Sequence, residues 1–469
     1  MSIRPLLLGA LLLQAFGTQA AQLVVTTTRD VYDGQCNNHC SLRDAVTVAN
    51  QTPGPSTIQL PTGNFTLGIP SAPDGEQSII EDDQDNQRGD LDVSGELHII
   101  GSPTSLTRII WYDGGSAYQG NDDRLIEVLP GGNLTLEQLT LEAGFTPFEG
   151  GAVKNRGQLL VREVQLIGNV TYEERKYPHS RAYGGAIANY GTLTVLSSLF
   201  YSNDARVESA KQRTLGGAIY NRGELRVLDS QFYENRSIAG GVLYNMGNAT
   251  FERCAFAGNS SLYLPDWLHA DAVLVNYGGV LTLSNSTLTN NVGGVLSNGV
   301  AVDPSRHSKV TLEHVTIARN PTRSTNGDEP RQVLLNWGEM LIRNSLIAGN
   351  FSPVANDGNV TRYEAANCAN LGDSFSYQAI GLLRNDESSN CGADLYVPLG
   401  NTFTQVLSRS TTDHGDYDFT HDLLPGSPAV DAGVGDCSAQ DQRGVARPQD
   451  GNGDGVALCD LGAYELKPQ

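Results

Sequence analysis

The chain repeats one short pattern seven times, and this repeat constrains its fold more than any other feature. Most copies open on an Asn-x-Gly step, and in six of the seven a second Asn follows fourteen residues later. Repeats that recur every twenty to forty residues indicate a solenoid. The pairs are Asn155/Asn169, Asn189/Asn203, Asn221/Asn235, Asn245/Asn259, Asn276/Asn290, Asn298/Asn320 and Asn336/Asn350, and a Gly-Gly step starts five residues before the first Asn at Gly150, Gly184, Gly216, Gly240 and Gly293.

Apolar residues alternate within each copy, as at Leu159/Val161 and Leu193/Val195. A period of two predicts strands with one buried face. Asn tolerates the left-handed backbone of a tight corner, and stacked Asn amides can hydrogen-bond to one another. The sequence predicts an all-β fold, a single-stranded right-handed parallel β-helix solenoid with a short N-terminal capping helix. The structural Asn ladder is expected at Asn155, Asn189, Asn221, Asn245, Asn276, Asn298 and Asn336.

The ends of the chain differ from the repeats. Residues 1–20 have the charge, the apolar run and the small-residue end of a secretory signal peptide. A solenoid exposes its core at both ends, so we expect caps there. The predicted parts are residues 1–20 as the signal, 21–68 as an N-terminal cap, 69–351 as β-helix repeats, 352–415 as irregular terminal coils and 416–469 as a C-terminal cap.

The net charge of −21 excludes several classes of partner. Such a surface repels nucleic acid and anionic lipid. The apolar run Leu6–Phe16 is too short to span a bilayer, and no later segment is apolar enough. We therefore expect an exported monomer without a transmembrane segment or a nucleic-acid partner, located outside the cell, on its surface or in the periplasm.

Export permits disulfide bonds among the seven cysteines. Proximity in the sequence favours three pairs and leaves Cys254 over, although seven cysteines allow other connectivities. Other copies of the repeat place Val or Ser at the position of Cys254, which predicts a small, buried and inert thiol. The favoured pairs are Cys36–Cys40, Cys368–Cys391 and Cys437–Cys459.

A short amphipathic helix is predicted near residues 41–49. Ser41 and Asp44 have the spacing of a capping box, and four apolar residues fall on one helical face. The run Cys40-Ser41-Leu42-Arg43-Asp44-Ala45-Val46 resembles the CSLREA domain found at the start of exported bacterial β-helix proteins. Residues 57–63 and 89–93 are similar to the same family. The resemblance implies export and a β-helix.

Two more resemblances point to the same fold class. Residues 427–433, 441–444 and 459–465 resemble the choice-of-anchor Q region of similar proteins, and surface tethering by a sorting tail is not expected. The Gly-Gly-Ala-Ile runs at 184–187 and 216–219, with Phe-x-x-Asn in three copies, resemble polymorphic outer-membrane proteins, which are regarded as adhesins. This last resemblance implies a role in surface interaction.

A calcium site is one candidate for chemistry. Residues 450–455 place oxygen-bearing side chains at alternate positions and Gly at the sixth, as in the start of a calcium loop. The twelfth position is Leu461, where such a loop has Glu, and Asp460 lies one residue earlier. The candidate ligands are Asp450, Asn452, Asp454 and Asp460, and the alternative is a Gly-rich turn closed by a disulfide.

The insertions between the second Asn and the next Gly-Gly step should project from one edge of the solenoid, where binding loops are often found. The insertion at 170–183 mixes aromatic and charged residues, which suits contact with sugars. The candidate ligand-binding residues are Tyr172, Glu173, Glu174, Arg175, Tyr177 and His179, and a solvated loop is the alternative. The run Asp122-Asp123-Arg124 is predicted to be the corner before a strand.

Three functions remain open at this stage. The first is a non-enzymatic adhesin-like protein that contacts a polysaccharide or a cell-surface glycan through the insertion loops. The second is a polysaccharide lyase or glycoside hydrolase, and the third is a structural spacer. An enzyme requires two carboxylates, or a carboxylate and a base, in one groove. No catalytic residues are assigned, because no recurring Asp/Glu set is evident in the repeats.

Overall fold

The computed structural model describes residues 20–70, 84–103, 106–111, 123–173, 181–207, 214–261, 272–299, 307–322, 332–356, 359–371, 376–385, 390–415 and 419–468. The first part contains the only α-helix among these residues, α1, together with nine short strands. These elements are β1 Ala21–Val24, α1 Leu42–Gln51, β2 Ser56–Gln59, β3 Gly63–Leu67, β4 Leu91–Val93, β5 Glu96–Ile100, β6 Thr107–Trp111, β7 Ile126–Val128, β8 Asn133–Glu137 and β9 Thr140–Glu142.

The central repeats form four short strands per coil at first and fewer strands per coil later. The strands are β10 Phe145–Thr146, β11 Val153–Asn155, β12 Gln158–Arg162, β13 Gln165–Ile167, β14 Val170–Glu173, β15 Ile187–Asn189, β16 Thr192–Leu196, β17 Leu199–Tyr201, β18 Asp204–Val207, β19 Ile219–Asn221, β20 Glu224–Leu228, β21 Gln231–Tyr233, β22 Arg236–Ser237, β23 Leu243–Asn245, β24 Asn248–Glu252, β25 Ala255–Ala257, β26 Ser260–Ser261, β27 Ala272–Asn276, β28 Val280–Thr289, β29 Gly294–Asn298, β30 Lys309–Ala318, β31 Leu334–Asn336 and β32 Glu339–Ala348.

The last part adds seven strands and two short helical turns. They are β33 Phe351–Asn356, β34 Asn359–Ala365, β35 Cys368–Asn370, β36 Tyr377–Asn385, β37 Leu395–Val397, a 3-10 turn at Leu399–Asn401, a π-helical turn at Thr402–Val406, β38 Thr412–Asp413 and β39 Phe419–Thr420. Only the β33–β34 and β38–β39 pairs are antiparallel among the described strand pairs.

Parallel strands from successive coils stack into three sheets. The ten-stranded sheet runs in the order β35-β31-β29-β27-β23-β19-β15-β11-β7-β4, the five-stranded sheet is β10-β14-β18-β22-β26, and the largest sheet has twenty strands. Equivalent residues pair in register, as Asn155 with Asn189 and Phe200 with Phe232. The protein is therefore an all-β parallel β-helix, as the repeat predicts.

Inward-facing residues of the ten-stranded and twenty-stranded sheets form one continuous hydrophobic core. Alternate residues such as Leu193 and Val195 are fully buried in it. Phe200, Phe232 and Phe256 stack above one another, with ring centroids 4.8 and 5.1 Å apart. Each coil thus buries its apolar face against its two neighbours.

The first Asn column forms the predicted ladder, and the ladder continues one coil further. The Nδ2 of each Asn donates to the Oδ1 of the next at 2.7 to 3.0 Å. Asn336 donates in the same way to Asn370, which lies beyond the predicted end of the repeats. All seven predicted ladder residues are fully buried, and their stacked amides satisfy one another.

One member of the second Asn column was predicted wrongly. Asn291, and not Asn290, accepts from Asn259 and donates to Asn320, each at 3.0 Å. This copy carries one extra residue, so the core position belongs to Leu288, which pairs with Phe256. Counted back from Asn290, the core position would have fallen on the polar Thr287.

The ladder residues do not provide the left-handed corners, which corrects the conformational role predicted for them. Left-handed φ is found one residue before the second column, at Ser202 (53°), Glu234 (53°) and Asn290 (54°). At the Gly-Gly step, Gly184 has φ +68°, and a Cβ on Gly185 would lie 2.2 Å from the carbonyl oxygen of Gly217. Turn conformation and ladder bonding are therefore divided between adjacent residues.

The N-terminal helix forms as predicted. Ser41 caps α1, and the Ser41 and Asp44 side chains bond each other's backbone N–H in a capping box. Leu42, Ala45 and Val46 are buried in the solenoid core. The helix therefore covers the apolar interior at this end.

The end of the chain departs from the prediction in two ways. Strands β35, β36 and β37 continue the solenoid sheets past residue 351. Residues 419–468, here the C-terminal segment, lie along the side of the late coils. They contact β28, β30 and β32 through Gln442 to Thr287 (2.7 Å), Ala463 to Thr316 (2.9 Å) and Val434 to Asn344 (2.8 Å).

All three predicted disulfides are present: Cys36–Cys40, Cys368–Cys391 and Cys437–Cys459. Cys254 remains a buried thiol. Burial raises the pKa of the Cys254 thiol to about 12, so it stays protonated and unreactive. The cysteine predictions are therefore confirmed.

Candidate functional site

Of the predicted sugar-binding insertion, the structure describes Tyr172 and the backbone of Glu173. Tyr172 is 3% exposed and stacks on Phe145 with ring centroids 4.6 Å apart, so it is a packing residue and not a surface contact. Glu173 ends strand β14, and its side chain lies outside the described residues, as do the whole of Glu174, Arg175, Tyr177 and His179.

The proposed calcium loop is an exposed turn closed by its own hydrogen bonds. Asp450 accepts from the backbone N–H groups of Gly453, Asp454 and Gly455, and Asn452 accepts from Asp454. Asp460 is not part of this loop. It is buried, and its two carboxylate oxygens accept from the N–H groups of Asp431 and Leu466. The predicted ligand set is thus divided between two environments.

A different surface brings functional groups together: the outer face of the ten-stranded sheet. The middle residue of each three-residue strand points away from the core, because its two neighbours point inward. Successive strands place these middle residues one above another at the spacing of paired strands, about 4.8 Å. The first seven of these residues, from β4 to β27, are here called the outer strip: Asp92, Glu127, Lys154, Ala188, Tyr220, Tyr244 and Val275.

The first coils of the outer strip carry a charged cluster. Glu127 lies 2.8 Å from Arg124 Nη1 through Oε2 and 2.6 Å from Arg156 Nη2 through Oε1. Lys154 Nζ lies 3.9 Å from both Glu127 and Glu149. The members of the charged cluster are Asp90, Asp92, Arg124, Glu127, Glu149, Lys154, Arg156 and Arg181.

The carboxylates of Asp90, Asp92 and Glu127 come within 4.8 Å of one another, which is the spacing of a divalent cation site. Arg124, Lys154 and Arg156 set three positive charges against these three carboxylates, so the charge is balanced without a metal. The residues therefore do not fit a resident calcium ion, and the charged cluster is an ion-pair network with its edge at the surface. Arg156 and Arg181 form that edge, with side chains 26% and 60% exposed.

Aromatic residues follow the charged cluster along the same strip. Tyr183 stacks on Tyr220 at 4.8 Å between ring centroids, and Tyr244 lies 6.1 Å from both Tyr220 and Tyr277. Tyr190 completes this tyrosine row and donates its hydroxyl to Glu149 at 2.6 Å, which joins the row to the charged cluster. Tyr220 and Tyr244 are buried, whereas Tyr183, Tyr190 and Tyr277 are half-buried.

Where the tyrosine row meets the charged cluster, burial and a nearby carboxylate keep the tyrosine hydroxyls protonated. Burial and the Glu149 carboxylate raise the pKa of Tyr190. Burial raises the pKa of Tyr220 to about 12. The row therefore offers flat apolar rings and hydroxyl donors beside carboxylates and guanidinium groups. This combination suits a polyhydroxylated ligand, whose C–H faces pack on rings and whose hydroxyls pair with charged groups.

Sequence reasoning missed this surface although part of its signal was visible. The residue before each ladder Asn belongs to the outer strip, as at Lys154 and Tyr220, and the residue after it lines the same face, as at Arg156 and Tyr190. The earliest coils lack the Asn marker, because Val128 pairs with Asn155. Asp92 and Glu127 are therefore followed by Val93 and Val128 and by no ladder Asn, so the repeat does not mark them. Asp123 and Arg124 do form the predicted corner before a strand.

Comparison with known proteins gives no family assignment. The chain matches no family model and no curated protein. Among solved structures it is similar to the pectate lyase Pel9A, with 12% identity, a TM-score of 0.47 and coverage of 96% of this chain and 98% of that chain. It is also similar to the catalytic domain of a GH87 α-1,3-glucanase in complex with nigerose, with 9% identity, a TM-score of 0.31 and coverage of 77% and 69%. These likenesses concern the fold alone.

Within the described residues, no helix is both long and apolar enough to cross a membrane.

Proposed function

We propose that the protein binds an extended glycan along the accessible edge of the outer strip, where Tyr183, Tyr190, Tyr277, Arg156 and Arg181 reach the surface. The observation that carries this proposal is the continuity of the tyrosine row with the charged cluster through the Tyr190–Glu149 hydrogen bond. Equivalent positions recur once per coil, so a polymer with a repeating unit can make the same kind of contact several times. This contact surface is the edge of a sheet face, whereas the sequence predicts the insertion loops, of which residues 174–180 lie outside the described part of the chain.

The setting of such a protein is outside the cytoplasm. Three disulfides are formed among the described residues, and disulfides persist in oxidising compartments. We retain the interpretation of residues 1–20 as an export signal.

The test is binding of the full chain to an array of neutral and acidic polysaccharides. Replacing Tyr183 or Tyr190 with Ala removes a half-buried ring from the strip, and we expect a loss of about tenfold in affinity, equivalent to about 1.4 kcal/mol. The matched control is Tyr201→Ala, which removes a 39% exposed tyrosine from strand β17 of another sheet. Equal losses in all three variants would contradict the proposed surface.

Cleavage of the glycan is a second candidate function. It is favoured by one observation: the charged cluster sets the carboxylates of Glu127 and Glu149 each 3.9 Å from the amine of Lys154, the residue types that polysaccharide-cleaving sites require. The assay measures new reducing ends and unsaturated products on the same polysaccharide panel. Loss of turnover in both Glu127→Gln and Lys154→Met, with retention in Arg362→Met on the distant β34 strand, would support it, and absence of any turnover by the wild type would end it.

A further inference from the structure

A second groove lies on another side of the solenoid, between its wall and the C-terminal part of the chain. Its volume is about 750 Å³, which is within the range of small-molecule sites. The wall is contributed by the coils that contain Glu163, Ser197 and Asp229, and the end is closed by His414 and by residues 442–444. None of these residues belongs to the outer strip.

The wall of the groove is regular because it lies at the bend of the largest sheet. Glu163, Ser197, Asp229 and Arg253 all have left-handed φ between 48° and 52°, which turns the chain and directs their side chains outward. Each donates its backbone N–H to the following coil, as Ser197 does to Leu228 at 3.1 Å. The groove thus presents a polar group once per coil.

The floor is a second column of outward residues from the strands that follow the bend. Gln165, Leu199, Gln231 and Ala255 pair in register on successive coils. The next residue in this column is Thr287, where Gln442 of the C-terminal segment already sits on the sheet. The groove is therefore the part of the column that the C-terminal segment leaves uncovered.

The end of the groove is held in place by its own contacts. The Arg443 guanidinium lies 3.5 Å from the centroid of the Tyr464 ring and bonds Asp441 at 2.6 Å. The Nε2 of His414 lies 2.8 Å from Asp422 Oδ1. A ligand would meet these groups already positioned, which lowers the entropic cost of binding.

The charges of the lining select against an anionic ligand. Arg253 bonds both oxygens of Asp229, at 2.6 and 3.0 Å, and Arg443 is engaged by Asp441. Glu163 adds an exposed carboxylate at the wall. The remaining lining consists of His414, which is paired with Asp422, of serine and glutamine side chains and glycines, and of the apolar Val164, Leu199 and Ala255. Hydroxyl-rich ligands without charge match this surface.

We propose that this groove is a binding site for a neutral oligosaccharide, separate from the outer strip. Carboxylate and amide groups accept hydrogen bonds from sugar hydroxyls, and Leu199 in the floor packs against sugar C–H groups. The wall repeats once per coil at about 4.8 Å, so adjacent sugar rings meet equivalent groups. The C-terminal segment gives the site a closed end, which directs it to a chain terminus.

The experiment titrates the full-length protein with cellohexaose, maltohexaose and laminarihexaose by calorimetry. Leu199→Arg fills the floor with a long side chain, and we expect at least a tenfold loss of affinity for the hexaose that binds. Gln165→Lys fills the same floor from the neighbouring coil and serves if the first variant does not fold. The matched control is Ile167→Arg, which places Arg on the same face of β13 but outside the groove.

The outcomes separate this site from the outer strip. Binding that is lost in Leu199→Arg and kept in Ile167→Arg and Tyr190→Ala supports the proposal. Binding that persists in both groove variants overturns it, as does failure of all three hexaoses to bind the wild type. Binding that is lost in Tyr190→Ala but kept in the groove variants also overturns it, while supporting the glycan site on the outer strip.

Discussion

Asparagine side chains stabilise the solenoid through the completeness of their hydrogen bonding. Asn221 accepts from Asn189 and donates to Asn245 at 2.7 Å and to the carbonyl oxygens of Gly223 and Asn248 at 3.1 Å. The side chain is fully buried, so no water can replace a missing partner. A buried polar group left without a partner costs about 1–3 kcal/mol. Each ladder residue therefore supports the coils on both sides of it.

The adjacent residues Asn290 and Asn291 offer a matched test of the ladder. Asn291→Gly removes the acceptor of the Asn259 amide and the donor to Asn320, and we expect a loss of about 3 kcal/mol in the free energy of unfolding. Asn290→Gly changes an exposed residue with φ +54° and should alter stability by less than about 0.5 kcal/mol. Thermal unfolding followed by circular dichroism compares them, and equal effects would contradict the assigned register.

His421 is a buried residue whose bonding requires the neutral ring. Its Nδ1 donates to the carbonyl oxygen of Ser408 at 3.0 Å, and its Nε2 accepts from the Thr289 hydroxyl at 2.9 Å. Burial is the main cause that lowers the pKa of His421 from 6.5 to about 4. The unfolded chain therefore binds a proton at this residue before the folded protein does, and acid destabilises the fold.

The His421→Gln variant should be less sensitive to acid than the wild type. The contribution of His421 is fully present above pH 6.5 and is lost as the pH falls through 4, by up to about 3 kcal/mol. Asp460, whose pKa burial raises to about 7, contributes with the opposite sign, but it is common to both proteins. The free energy of unfolding is measured from pH 7.5 to pH 4. Exposed His39→Gln is the control, and equal acid sensitivity of the two variants would exclude His421 as the cause.

At the scale of elements, the C-terminal segment is a separate packing unit on the side of the late coils. Ala318, Leu346 and Ala348 of the solenoid form a small hydrophobic cluster with Leu423 and Leu461 of the segment. Inside the segment, Arg447 bonds Glu465 at 2.6 Å and the carbonyl oxygens of Asp460 and Gly462. Its internal order therefore depends on one buried ion pair as well as on apolar contact.

Arg447→Met should loosen the C-terminal segment and leave the solenoid folded. Both side chains of the Arg447–Glu465 pair are fully buried, and removal of one partner from such a pair costs about 3–5 kcal/mol. Hydrogen exchange should show lost protection in residues 419–468. The control is Arg362→Met, which breaks the exposed pair with Glu364 and should cost less than about 1 kcal/mol. Unchanged protection in the Arg447 variant would show that the pair is not needed.

At the scale of the whole molecule, α1 prevents the open end from acting as a docking surface. Ala45 is fully buried against the core, whereas Val48, on the same helix, is half-exposed. Ala45→Arg buries a charge and should displace the helix, so that uncovered strands associate end to end. Light scattering after size exclusion should show concentration-dependent oligomers for this variant. Val48→Arg is the control, and a monomeric Ala45→Arg protein would contradict the assigned role of α1.

The stack of coils could be predicted from the repeat, because the same residue types recur at the same spacing within each coil. The position of Asn189 relative to Asn203 is determined within one coil. The charged cluster could not be predicted in this way, since Asp90, Glu127 and Lys154 come from coils of unequal length. The lateral position of the C-terminal segment depends on contacts such as Thr287 with Gln442, which are 155 residues apart. No sequence period reports such a contact.

The orientation of the ladder amides gives the column a direction. In both ladders each Nδ2 donates to the Asn of the coil that follows in the chain, and never the reverse among the described pairs. A stack that ends at any given coil presents amide donors, and the next coil arrives with the oxygens that accept them. Each coil therefore supplies the acceptors for the amide donors of the coil before it. The ladder can be extended in one direction only, from the N-terminal coils towards the C-terminal coils.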